Sequence, residues 1–123
     1  MNCSMRAYGL CLLALLATSC ASTQSRYSTL GQSYPPKPET EEVQVFQNSK
    51  PQRPFIKVSR LDVHIEKTHF LRSSLQDALP ELKKQARLSG ADAIIDIEER
   101  SSALAETEIY HVSATGIRFT NSP

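Results

Sequence analysis

The segment Leu10 to Cys20 (LCLLALLATSC) most constrains what this chain can fold into, because it bears on every cysteine and sets where folding can begin. Arg6 supplies a positive charge, Leu10 to Ala17 form an apolar run, and small Thr18 and Ser19 lead into Cys20, the layout of a cleavable export signal. A membrane-spanning helix needs about 20 apolar residues, which this run does not reach. Removing residues 1–19 takes away Cys3 and Cys11 and leaves Cys20 at the new amino terminus. The expected folded part then has no cysteine. Disulfides, thiol redox chemistry, a cysteine nucleophile and thiolate metal sites are excluded from it, and a hydrophobic core must supply the stability.

The end of this segment resembles a bacterial lipoprotein signal peptide, with Ala17 where the usual pattern has Leu and with Leu16 one residue earlier. The resemblance implies lipidation of Cys20: a diacylglycerol on the thiol, cleavage before it, and acylation of the new amino group. One acyl chain anchors marginally, at about 0.8 kcal/mol per buried methylene, so stable anchoring takes more than one. Ala21 and Ser22 follow the cysteine with no Asp after it, which resembles outer-membrane sorting in enteric-type bacteria. The expectation is a protein lipid-anchored at the periplasmic face of the bacterial outer membrane. The other reading is an ordinary export signal cut near Ala21, with Cys20 incidental.

Charge narrows the partners. Lys and Arg number 14 against 13 Asp and Glu, and Arg6 leaves with the signal, so the remaining chain is formally neutral. That balance gives no electrostatic footprint for nucleic acid and no basic cluster for anionic lipid. The expected partners are the membrane, through the anchor, and an envelope protein.

Residues 20–42 are expected to be the lipidated Cys and a flexible Pro-rich tether, since Ala21 to Glu42 are rich in Ser, Thr, Gln and Pro and end in Tyr34 to Pro38 (YPPKP). Such composition buries too little surface to offset the entropy of ordering. A proline-rich ligand for an SH3-like module is the alternative. Residues 43–120 are expected to form one compact α+β domain.

Within it, Val43 to Phe46 reads as a short strand. Phe55 to Lys67 reads as a longer one, in which Ile56 and Val58 have one parity and Leu61, Val63 and Ile65 the other. A bulge near Ser59 and Arg60 would reconcile them, or the strand is buried on different faces over its two halves. Leu75, Leu79, Leu82 and Ala86 mark a helix over Ser73 to Leu88, with Asp77 favoured over Ser74 as its cap because Pro80 then falls in the first turn. Gly90 supplies the left-handed residue that ends it. Ala93 to Glu98 is a strand with one apolar face, and Glu108 to Phe119 another with a bulge near Gly116. The order strand-strand-helix-strand-strand predicts a two-layer sandwich, a mixed sheet of about four strands with one main helix packed on it.

Leu82 to Ile97 (LKKQARLSGADAIIDI) and Val112 to Phe119 (VSATGIRF) resemble the YbjQ-like heavy-metal-binding family and the Rcs-type stress-sensor lipoprotein fold. In these proteins a helix ends in Leu-Gly-Ala-Asp-Ala and is answered by a final strand reading Val-Ser-X-X-Gly. The matching Gly90, Ala91, Asp92, Ala93 and Gly116 specify a turn and close packing, and they need no ligand.

For chemistry, His64 with Asp62 and Glu66 forms a same-face polar row that would make a metal site if strand pairing brought His111 beside it. The competing reading is a solvated polar face, and His69 lies in a loop. Asp96 and Glu98 sit on one side of a strand without a nucleophile near them. Ser101, Ser102 and Thr107 lie in no GxSxG pattern. The expectation is a non-catalytic binding or sensing module with no cofactor, the alternatives being a metal-binding protein or a structural oligomer of the envelope.

Overall fold

A computed structural model describes residues 21–120. The export signal and lipidation expected at residues 1–20 lie outside the described residues. Among those described, the elements run β1 (Ala21–Thr29), β2 (Gln44–Val45), β3 (Phe55–Lys67), α1 (Leu75–Leu88), β4 (Ala93–Leu104) and β5 (Thr107–Phe119). The strands form one mixed sheet ordered β1-β3-β5-β4-β2, in which β2 lies parallel to β4 and the other neighbours are antiparallel. β5 separates β3 from β4, so those two run the same way and α1 connects them across one face. The α+β class with one helix on a mixed sheet is as expected. The sheet has five strands rather than about four, and the added one comes from residues assigned to the tether.

Ala21–Thr29 is therefore not a free linker. It pairs with β3 from Ala21 opposite Lys67 to Thr29 opposite Ser59. Facing α1, Ser25 donates to Glu81 at 2.5 Å and accepts from Gln85 Nε2 at 2.9 Å. A backbone ladder and side-chain hydrogen bonds here offset the ordering entropy that apolar burial does not. Further along, the Lys37 N–H donates to the Arg87 carbonyl at 2.8 Å and its ammonium pairs with Asp92, so the proline-rich stretch lies against the end of α1.

Ser74, not Asp77, caps the helix. Asp77 instead accepts from the Ser74 N–H at 2.8 Å, as the N3 acid of a capping box does, and that bond holds its carboxyl below the ordinary value. Pro80 consequently stands inside α1, where it removes the bond to the Gln76 carbonyl. Both residues are exposed, so water can take that carbonyl. At the other end Ser89 is the C-cap; Gly90 N–H bonds to Arg87 O at 3.1 Å and Ala91 N–H to Ala86 O at 2.9 Å, the two bonds of a Schellman motif.

Leu75, Ala78, Leu82 and Ala86 of α1 are buried against Leu61, Val63, Ile65, Tyr110, Val112 and Ala114 of the sheet. Leu79 is only partly buried at the margin of this core. A second cluster, Ala93, Ile95 and Ile117 with Phe46, Phe55 and Phe119, lies at one end of the sheet. Strand alternation puts it on the face away from α1. Two of the expected irregularities change accordingly. The β3 bulge falls at Val58, between Lys57 and Ser59. β5 has no bulge at Gly116; the one extra residue is on β4, between Ile95 and Glu98, where Asp96 has φ 52°. β5 changes parity because its two halves bury opposite faces. Ala93 to Ile95 is likewise buried on both faces, not one.

Candidate functional site: the open face of the sheet

The register fixes which side chains share the face that α1 leaves uncovered. Gln24 of β1 stands opposite His64 of β3, which stands opposite His111 of β5. One pair along, Arg26 faces Asp62 and Asp62 faces Ser113. These positions alternate with buried Leu61, Val63, Ile65, Tyr110 and Val112, so burying the latter forces the former outward.

The contacts across this row are polar and short. Asp62 lies 3.4 Å from His111 Nε2 through one oxygen and 3.9 Å from Arg26 Nε through the other. His64 Nε2 meets Glu66 at 2.9 Å. The two imidazole rings are edge to face with centroids 6.0 Å apart. Gln24, Arg26, Asp62, His64 and His111 line a shallow depression of about 310 Å³. Such a surface offers hydrogen-bond donors and acceptors of both charges to a polar partner.

The four residues of the expected metal row, His64, His111, Asp62 and Glu66, do come together on this face. They form two histidine–carboxylate pairs that do not converge. Among the described residues no three His, Cys, Asp or Glu side chains are placed to hold a metal ion, whereas a protein site commonly uses three or four. The donor set therefore does not fit a heavy-metal centre.

His69 stands apart in the loop after β3, 4.0 Å from Glu106. Asp96 and Glu98 line a second depression with Lys50, Lys57 and Arg60. Asp96 lies 3.8 Å from Lys50 and 3.9 Å from Lys57, an ion pair with each. Ser101 and Ser102 pair with Tyr110 and Ile109 along β4 and β5, and Thr107 closes the hairpin opposite Leu104. Of the turn residues, Asp92 accepts from the Phe119 N–H of β5 at 2.8 Å, and the Gly90 carbonyl accepts from Arg118 at 2.8 Å.

Gln24 and Arg26 are not among the residues that the sequence singles out, because the composition of their segment reads as tether. The signal that could have found them is Ser22 to Thr29, a run free of Pro and Gly with Thr and Tyr spaced as a strand allows.

No protein-family model, curated protein or solved structure matches this chain. Among the described residues no helix is long and apolar enough to cross a membrane.

Proposed function

We propose that this protein is a non-catalytic lipoprotein of the bacterial envelope, anchored through Cys20 at the periplasmic face of the outer membrane, that binds an envelope protein through the open face of its sheet. The observation that carries the binding role is the continuous row Arg26–Asp62–His111 beside His64–Glu66, a surface of charged and hydrogen-bonding side chains that a polar partner would cover. The anchor rests on the layout ending at Cys20. A structural oligomer is the second reading, favoured by the outer edge of β1, which lies at the border of the sheet and is open to strand addition.

Cys20→Ala tests the anchor: radiolabelled palmitate incorporation should be lost and the protein should leave the membrane fraction or persist as precursor. Unchanged incorporation would overturn it. A photo-crosslinking residue at Gln24, compared with one at exposed Lys84 of α1, tests the face. The binding reading expects a heterologous adduct from position 24 and none from position 84. Adducts of twice the chain mass, with a dimeric native mass, favour the oligomer instead.

A further inference from the structure

Three large apolar side chains stand in solvent at one end of the domain: Phe70 is 78% exposed, Leu71 58% and Leu104 73%. Phe70 and Leu71 come from one loop and Leu104, the last residue of β4, borders another, and the two loops are held together, since the Phe70 N–H donates to the Glu106 carbonyl at 3.1 Å. One loop follows β3; the other is the β4–β5 hairpin turn. Both hold strained backbone, with φ 59° at Phe70 and 55° at Ala105, conformations that side chains other than glycine rarely adopt. The loops present apolar groups outward although the main core begins close by, at Ile65 and Leu75.

The register says what lies beside this tip. Ala21 pairs with Lys67, and Lys67 also pairs with Glu108, so the start of β1, the end of β3 and the β4–β5 turn occupy the same end of the sheet. Cys20 immediately precedes Ala21, with no spacer between it and the strand. A residue adds only about 3.3 Å along a strand, so acyl chains on Cys20 would bring a bilayer to this end of the sheet. A domain anchored there cannot keep its apolar tip far from lipid. Arg72 stands exposed beside the loop, a long side chain that can reach headgroup phosphates while the apolar groups enter, whereas the Lys67 ammonium is held by Asp77 at 3.5 Å. The second core cluster and the Gly90 turn lie at the opposite end of the strands and would point away from the membrane.

We propose that Phe70, Leu71 and Leu104 insert into the interfacial layer of the bilayer beside the Cys20 lipid, docking the domain upright on the membrane rather than letting it swing on a tether. This rests on the anchor proposed above. Docking holds the open sheet face roughly perpendicular to the membrane, accessible to a partner in the periplasm.

The chain has no tryptophan, so single replacements give unique fluorophores. Full-length protein carrying Phe70→Trp, Leu104→Trp or, at the other end, Ile56→Trp is purified from membranes and reconstituted into vesicles of phosphatidylethanolamine and phosphatidylglycerol with brominated acyl chains. Intact mass reports acylation separately. The expected result is acylated protein in which the indole emission of the Phe70→Trp and Leu104→Trp variants shifts to the blue and is quenched by bromine, while that of Ile56→Trp remains open to aqueous acrylamide. Acylated protein in which all three variants respond alike to acrylamide overturns insertion and leaves the anchor intact. Loss of the acyl mass together with absence of vesicle binding overturns both. Shielding of the two tip fluorophores that needs no lipid and grows with protein concentration assigns the tip to a second copy and overturns the bilayer as its occupant.

Discussion

Gly90 has φ +80°, and a methyl group on its α-carbon would lie 2.7 Å from Tyr34 Cβ and 2.8 Å from the Pro35 carbonyl. Strain and collision therefore act together where the proline-rich segment crosses the end of α1. Gly90→Ala is expected to destabilise by more than about 1 kcal/mol, read as a lower urea midpoint at unchanged slope. A midpoint equal to the parent's would remove the cap assignment. Gly116 is different: its φ is unexceptional, but a Cβ would stand 2.2 Å from Ser59 Oγ and 3.0 Å from Ala91 Cβ. Ser59 cannot easily yield, because its buried hydroxyl bonds to Ser89 at 2.8 Å and Ser89 in turn donates to Ala86 O. Gly116 therefore lets β5, β3 and the turn after α1 meet closely.

At the scale of elements, β1 shows what composition misses. Its side chains are polar because one face lies open and the other meets the margin of α1 through Ser25, Glu81 and Gln85. Deleting residues 22–41 should remove the ladder to β3 and uncover the end of α1, lowering the thermal midpoint by more than the roughly 4–8 °C that 1 kcal/mol is worth in a domain this size. A cooperative transition at the parent's midpoint would restore the tether reading. The body of the helix and the turn at Gly90 were legible in the sequence because period and glycine agree there, whereas β4 runs on to Leu104, beyond the apolar residues that marked it as far as Glu98. The start of α1 was not legible, since Pro80 argued for a later cap while the Ser74–Asp77 box argued for an earlier one, and the box won. The parity switch in β5 was legible but its cause was not: alternation within one strand cannot tell a bulge from a second core on the other face. The pairing of His64 with His111 depended on register, which a single strand does not carry.

For the whole molecule, stability against pH follows from which charged forms the fold disfavours. Tyr110 is buried in the main core, and its hydroxyl donates to Glu99. Burial foremost, then the hydrogen bond to Glu99 and the negative charge of that carboxylate, push the phenol well above its ordinary value. A raised folded value means that the neutral phenol's contribution is complete below the unfolded value near 10 and is lost as pH rises beyond it. Asp77 works in the opposite sense: its lowered folded value supports stability above about 3.9, and that support fades as pH falls further. Tyr110→Phe keeps the ring in the core and removes the titration. At neutral pH it should cost about 1 kcal/mol for the lost hydrogen bond, a modest amount because Glu99 is exposed and can turn to water. Above pH 10 the parent should lose stability more steeply than the variant, so urea midpoints measured from pH 8 to pH 12 should converge. Two curves falling in parallel over that range would show that alkaline unfolding is governed by groups other than the Tyr110 phenol.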